Sequence, residues 1–191
     1  MTKEQIEHEA NGLIAAAKAT VELQGDFPLT ILLHGFGGWV RLPFPPEFGQ
    51  FMNNGRAKDL IFGEVRSLVQ KHAADGVIIA SDAWRAETTP EGWKHYDTPE
   101  WKDLHDFGFV KLVQRGWVKR SEVFTITAQT ANDALIIHQE YQRLGSGVIQ
   151  LLDCKREWFD QSRFSGRQKM FGDLRHENLG SEDTVKGTPE A

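Results

Sequence analysis

Carboxylate side chains in the middle of the chain offer the simplest acid–base chemistry. Asp82 and Glu87 lie close together in sequence, and Glu122 lies on a later segment. Two carboxylates in one cleft can act as general acid and general base, which is the chemistry of a hydrolase. Partial burial beside the apolar run before Asp82 would raise its pKa. The favoured alternative is structural, because ion pairs are often structural: Asp82 would accept hydrogen bonds from the backbone or from Arg85 and fix the end of a strand.

Histidines on either side of Trp101 raise a second possibility, a metal site. His95 and His105 stand near three carboxylates, Asp97, Asp103 and Asp106. Imidazole and carboxylate ligands together suit zinc and other transition metals. The spacing matches no established ligand signature, so the default interpretation is a set of solvated loop residues. We therefore expect no metal and no other cofactor.

The single cysteine, Cys154, could act as a nucleophile with His138 as its base. No third group that would orient the histidine is evident in the sequence. Free cysteine is among the most buried residue types, so we expect a buried structural thiol. One cysteine also excludes an intramolecular disulfide.

A glycine-rich run, His34-Gly35-Phe36-Gly37-Gly38, is similar to the oxyanion loop of α/β-hydrolases. That interpretation requires a nucleophile elbow, and Gly-x-Ser-x-Gly does not occur in the chain. The run also lacks the lysine of a phosphate-binding P-loop. Because it separates two apolar runs, we predict a glycine-rich β-hairpin turn.

The segment 158–171, WFDQSRFSGRQKMF, combines basic and aromatic residues. Arg163, Arg167 and Lys169 alternate with phenylalanines. Such a segment can bind phosphate backbones and stack on bases, dock onto an acidic partner, or dock onto the protein's own acidic first helix. Self-docking is the default. The net charge of −5 makes nucleic acid an improbable partner.

The composition fits one folded domain. The chain has 191 residues, of which 40% are hydrophobic, and six tryptophans and twelve phenylalanines supply core area. The sequence shows neither a charged-then-apolar leader nor an apolar run of membrane length. We expect a cytoplasmic protein that does not contact a membrane.

Periodicity predicts the elements that must position these residues. Ile6, Ala10, Leu13, Ala17 and Val21 recur at helical spacing, and Thr2 with Gln5 has the spacing of a capping box. A second helical stripe consists of Ile61, Val65, Leu68 and His72. The predicted helices are 2–24 and 56–74, and the predicted strands are 28–33, 39–44, 77–80, 122–130, 134–142 and 148–154.

These elements predict an α+β fold in which a hairpin and a meander form an antiparallel sheet packed by two main helices. Profilin-like and roadblock-like domains share the order helix, two strands, helix, three strands, and that likeness carries no function. We predict one domain over 1–176, with an irregular tryptophan-rich insertion at 88–119. The segment 157–175 is predicted as helix or extended arm, and 177–191 as a flexible acidic tail.

Three segments in the centre of the chain carry a resemblance: Ala74-Asp75-Gly76-Val77, Ser81-Asp82-Ala83-Trp84 and Ser121-Glu122-Val123-Phe124. On these segments, 56–142 resembles a group of uncharacterised bacterial and phage proteins in which an Ala-Asp-Gly-like turn leads into a V-x-x-x-S-E-A-W strand. The chain departs from that pattern at Asp82, where glutamate is expected, and in its long insertion. The resemblance supports the fold and implies no activity.

The sequence favours a small binding or regulatory domain that contacts a protein or a small ligand, rather than an enzyme. Aromatic and arginine side chains dominate interface hot spots, so the expected anchors are Trp84, Trp93, Trp101, Arg163 and Arg167. A homodimer through the sheet edge or the insertion is a further expectation. The alternative is a hydrolase that uses the carboxylate pair or a histidine-bound metal.

Overall fold

The computed structural model describes residues 1–35, 37–43, 55–107, 109–145, 147–162 and 170–171, without the side chains of 55, 105–107 and 109. This part of the chain forms five helices and six strands. The helices are α1 (Lys3–Gln24), α2 (Gly55–Lys71), α3 (Pro90–His95), α4 (Pro99–Phe107) and α5 (Phe109–Gln114). The strands are β1 (Thr30–Gly35), β2 (Gly38–Arg41), β3 (Gly76–Thr88), β4 (Val118–Gln129), β5 (Asp133–Arg143) and β6 (Ile149–Asp160).

The six strands form one antiparallel sheet in the order β2-β1-β3-β4-β5-β6. The α+β class, the hairpin, the meander and the two main helices are therefore confirmed. The likeness to profilin-like and roadblock-like domains remains one of element order, since this sheet has one strand more than that order provides.

The first half of β3 contributes side chains to two hydrophobic cores, one on each face of the sheet. Ile78 and Ala80 pack in the cluster beneath α1, whereas Val77 and Ile79 pack in the cluster beneath α2. Successive side chains of a strand point to opposite faces of the sheet. The two main helices consequently cover opposite faces, which is why this run is apolar throughout rather than alternating.

Helix α1 begins as the sequence predicts. The Thr2 hydroxyl accepts from the backbone of Gln5, and the Gln5 side chain accepts from the backbone of Thr2. The helix ends at Gly25, which takes the left-handed conformation at φ 90°. Ile14 is buried on its inner face, and Leu13 is only partly buried.

Helix α2 ends at Lys71, earlier than predicted, so His72 is not part of its stripe. Ile61 and Val65 are buried as the periodicity indicates. Phe62 and Val69 complete the buried face, packing against Ile31 and Leu33 of β1 among others. No described helix is long and apolar enough to cross a membrane.

Strands β3 and β4 extend well beyond the apolar runs that predicted them. They pair continuously from Val77 opposite Gln129 to Thr88 opposite Val118. The residues between them fold into α3, α4 and α5, so most of the predicted irregular insertion is helical. The two strand ends lie side by side and anchor this helical insertion at both of its ends.

Strand β6 also runs further than predicted, to Asp160, and includes the start of the basic and aromatic segment. Register shifts between Gln139 and Tyr141, where β6 carries a β-bulge. The buried Gln139 side chain donates to the Leu152 carbonyl oxygen at 2.9 Å. The predicted acidic tail, 177–191, lies outside the described residues.

Candidate functional site

The insertion is attached to the ends of β3 and β4 through one threonine. Thr89 caps α3 by accepting from the Gly92 backbone at 3.0 Å, and its hydroxyl donates to the Gly116 carbonyl at 2.7 Å. Gly92 packs directly on the Trp117 backbone: a Cβ at this position would lie 2.0 Å from the Trp117 carbonyl oxygen. Helix α3 therefore has a fixed position on the end of the sheet.

A buried aromatic stack forms the core of the insertion. The rings of Trp101 and Trp117 are nearly parallel, with centroids 6.0 Å apart, and pack with Leu112 and Val118. The His95 ring stacks on Trp117, with the two ring centroids 4.1 Å apart. Aromatic contacts of this kind contribute beyond their buried area, so they stabilise the short helices, which could not form alone.

Two aromatic side chains on this stack remain in solvent. Trp93 is 61% exposed and Tyr96 is 52% exposed, and their ring centroids are 4.9 Å apart. The Tyr96 ring also contacts the buried Trp101 ring, with the two centroids 5.3 Å apart. We call Trp93 and Tyr96 the aromatic surface. Tyr96 was not among the anchors predicted from the sequence, although an aromatic residue three positions after Trp93 was a usable signal.

Charged side chains near the aromatic surface are bound to one another. Lys94 Nζ lies 2.5 Å from Glu91 Oε2, and Lys102 Nζ lies 2.9 Å from Asp97 Oδ1. The bond from Lys94 lowers the pKa of Glu91. The surface thus has an apolar centre and neighbouring charges that already have partners.

The five predicted anchors differ in their exposure and in their place in the fold. Trp93 is exposed as a binding residue must be, whereas Trp101 is 6% exposed and supports the surface from below. Trp84 is 58% exposed on β3, where the Arg120 guanidinium lies 3.6 Å from its ring centroid. Arg163 and Arg167 lie outside the described residues.

The three carboxylates considered for acid–base chemistry are divided between the two faces of the sheet: Asp82 and Glu122 share one face, where Arg143 pairs with both, and Glu87 does not join them. Asp82 accepts from the Tyr141 hydroxyl at 2.7 Å, and Arg143 donates to Glu122 at 2.8 Å. Burial raises the pKa of Asp82, and burial followed by the bond to Asp82 raises the pKa of Tyr141. Glu87 lies on the opposite face of the sheet from Asp82, because their positions in β3 differ by an odd number.

The structural alternative agrees with the contacts of Asp82, which include the Ala83 backbone, although Arg85 is not among its partners. Arg85 shares the face of Glu87 and forms an ion pair with that residue. Asp82 is bound instead by Tyr141 and Arg143. Arg143 also donates to the Gly25 carbonyl at 2.6 Å, so this cluster ties the end of α1 to the sheet.

Two of the candidate metal ligands, His95 and Asp97, have other partners. His95 stacks on Trp117 and lies 3.4 Å from Glu91, and Asp97 pairs with Lys102. Among the described residues, no group of three or more histidine, cysteine, aspartate or glutamate side chains is placed to hold a metal ion. The side chains of His105 and Asp106 lie outside this description.

The prediction of a buried thiol is wrong, because Cys154 is exposed. Strand β6 is the last strand of the described sheet, so its central residues face solvent. The Cys154 sulfur accepts from Arg156 Nε at 3.3 Å. His138 is opposite Lys155 in the β5–β6 register, so its side chain projects from the other face of the sheet.

The glycine-rich run is a hairpin turn between β1 and β2, as predicted, with Gly37 and Gly38 at positive φ. His34 Nδ1 lies 2.5 Å from Asp75 Oδ1, and the His34 ring contacts Trp39 edge-on. The bond to His34 lowers the pKa of Asp75. These contacts join the hairpin to the turn that precedes β3.

The described ends of the basic and aromatic segment dock onto the protein itself. Just before it, Arg156 donates to Glu7 at 3.0 Å and to Asn11 at 2.8 Å, both on α1. Lys3 lies 5.1 Å from the ring centroid of Trp158. Met170 is buried in the cluster beneath α2. The basic residues of the segment, Arg163, Arg167 and Lys169, lie outside the described residues, so its docking onto the first helix stays a prediction.

Comparisons with protein-family models, with curated proteins and with solved structures found no match to this chain.

Proposed function

We propose that this protein is a protein-binding module whose contact site is the aromatic surface of the insertion. One observation carries the proposal: Trp93 and Tyr96 are more than half exposed while they rest on a buried and ordered aromatic stack. The described residues thus present large apolar rings to solvent in a fixed arrangement.

Burial of the two rings and their fixed positions both favour binding at the aromatic surface. Leaving a tryptophan and a tyrosine in water forgoes part of the free energy that burial of their rings would release. A partner that covers them recovers it. Because Tyr96 already contacts Trp101, binding costs little side-chain entropy. Tryptophan and tyrosine are also enriched among the few residues that carry most of an interface's binding energy.

The charge distribution indicates what kind of partner fits. The ion pairs Glu91–Lys94 and Asp97–Lys102 leave the border of the aromatic surface polar but nearly neutral. Interfaces commonly combine such a polar rim with an apolar centre. A partner that presents an apolar side chain to the rings fits best, and its binding should depend only weakly on salt.

The test compares three purified forms of the protein as baits in an extract of the cells that produce it. These are the wild type, the double variant Trp93→Ala/Tyr96→Ala, and Leu23→Ala as a control. Leu23 is 84% exposed on α1, so the control removes a large exposed apolar side chain elsewhere. Bound proteins are quantified by mass spectrometry.

We expect a partner that the wild type and the control retain equally and the double variant loses by at least about tenfold, or about 1.4 kcal/mol. Equal recovery by all three forms would contradict the proposal. Near-ultraviolet circular dichroism should confirm that Trp101 and Trp117 remain stacked in the double variant.

We also propose that the module acts in the cytoplasm, because a single exposed cysteine suits a reducing compartment.

A further inference from the structure

The second half of the sheet is strongly coiled, and one ion pair demonstrates it. Across the sheet, Lys155 on β6 pairs with His138 on β5, and His138 pairs with Thr125 on β4. Thr125 in turn pairs with Ser81 on β3, so Ser81 is the residue of β3 in line with Lys155. Glu87 lies six positions further along β3, so a flat sheet would separate its Cα from that of Lys155 by about 25 Å. Yet Lys155 Nζ lies 2.9 Å from Glu87 Oε1.

This contact is possible only if the far end of β3 curls toward β6, which makes the face that carries both side chains concave. A pocket of about 650 Å³ lies against this face, lined by Arg85, His138 and Lys155 among others. These side chains come from three different strands, β3, β5 and β6. Pockets of this size accept small molecules.

The pocket holds two cations that share one carboxylate. Glu87 Oε1 forms ion pairs with both Arg85 and Lys155. One oxygen of this chain therefore occupies the place where an oxyanion would contact a guanidinium and an ammonium together. Arginine and lysine are the usual protein ligands of phosphate and carboxylate groups.

His138 lies between these cations. Its Nδ1 is 3.3 Å from the Thr125 hydroxyl, and burial followed by the charges of Arg85 and Lys155 lowers its pKa. An anion bound beside the ring would offset the two positive charges. The histidine is thus a built-in reporter of occupancy.

The other charged groups around the pocket show which of its cations are available to a ligand. Glu157 also lines the pocket as an exposed residue, and Glu140 on the same face is 3.4 Å from Lys119. Arg156 lines it too, but its guanidinium is bound to Glu7 and Asn11. Arg85 and Lys155 are therefore the cations that can turn to a ligand when Glu87 releases them.

We propose that this concave pocket binds a small oxyanion, a phosphate or carboxylate group of a small molecule, between Arg85 and Lys155 with His138 beside it. Glu87 competes for the same two cations and so sets the affinity. The site is separate from the aromatic surface, because it is formed by the sheet rather than by the insertion.

The test is an NMR titration of the His138 imidazole with inorganic phosphate at constant ionic strength, with the resonance assigned through His138→Gln. We expect a saturable shift in the wild type. Arg85→Ala and Lys155→Ala should each weaken binding at least about tenfold, whereas Glu87→Gln should strengthen it because the competing carboxylate charge is gone. Lys94→Ala is the matched control: Lys94 belongs to the insertion and does not line the pocket, so this variant should bind like the wild type.

A linear shift that is equal in all variants would overturn the proposal, as would saturable binding that Arg85→Ala and Lys155→Ala leave unchanged. Unfolding midpoints measured for every variant separate lost binding from lost folding. If Arg85→Ala does not fold, Lys155→Ala decides the outcome, because Lys155 is 60% exposed and contributes little to the core.

Discussion

Individual polar side chains in this protein are positioned by partners far away in sequence. Asp82 contacts Tyr141, and Arg143 reaches back to the Gly25 carbonyl at the end of α1. From the sequence, the expected partners of Asp82 were the backbone or Arg85, three positions away. Strand alternation places Asp82 and Arg85 on opposite faces, which a correct strand length would have revealed.

At this scale we predict a pH dependence that belongs to His138. Its folded-state pKa is lowered, so the unfolded state binds more protons as the pH falls. The stability it contributes is fully present above the unfolded value of about 6.5 and is lost as the pH falls through the folded value. His138→Gln should therefore flatten the acid loss of stability below pH 7.

The measurement is urea unfolding of the wild type and His138→Gln at a series of pH values. His8→Gln, on the exposed face of α1, serves as the control substitution. If His138→Gln loses stability with acid as steeply as the wild type, the argument from burial and neighbouring charge is wrong.

At the scale of elements, two glycines in helices show what packing adds to propensity. Gly12 in α1 has no atom within 4 Å of an added Cβ, whereas at Gly92 in α3 that Cβ would collide with the Trp117 backbone. Gly12 lies in a helix that the sequence predicts, whereas Gly92 lies in the insertion that was predicted as irregular. The close contact at Gly92 results from the docking of α3 onto the end of the sheet.

We predict opposite effects for the two alanine substitutions. Gly12→Ala should raise the free energy of unfolding by about 0.5–1 kcal/mol, because glycine is unfavourable in a helix interior. Gly92→Ala should lower it by about 1–3 kcal/mol, since backbone atoms must move. Thermal and urea unfolding measure both, and near-ultraviolet circular dichroism should change only for Gly92→Ala. A neutral Gly92→Ala variant would refute the close approach of α3 to Trp117.

At the scale of the whole molecule, α1 covers one face of the sheet from β3 to β6, whereas α2 covers the other face at β1 and β3. The apolar face beneath α2, around Val77 and Ile79, contributes to the stability of the fold. The coiled second half of the sheet brings Glu87 to Lys155 and creates the pocket. Small-molecule sites in proteins are commonly concave, as this pocket is.

The coil itself can be tested by chemical crosslinking. In a Cys154→Ser background, the pair Glu87→Cys/Lys155→Cys should be joined efficiently by a short bis-maleimide. A flat sheet would hold those positions about 25 Å apart, beyond its reach. Intact mass spectrometry detects the bridge, and the two single-cysteine variants report intermolecular reaction. Failure of a folded, fully labelled double variant to form the bridge would exclude the coiled geometry.

Local pattern was enough to predict the two main helices, the hairpin, the meander and the fold class, but not the three short helices of the insertion. Helix α1, with its capping box and its glycine end, follows from residues within four positions of each other. The hairpin and the antiparallel meander follow from apolar runs and the polar turns between them. Such signals depend on the conformational preferences of residues that are close together in the chain, and these preferences can be taken directly from the sequence.

Tertiary structure alone decided which side chains became a surface or a pocket. Trp93 and Trp101 look equivalent in the sequence, yet the stack on Trp117 buries one and leaves the other in solvent. Cys154 is exposed because β6 ends the described sheet, and Glu87 meets Lys155 because the sheet coils. Burial, register and coil are set by contacts between residues many positions apart, and no local pattern encodes those contacts.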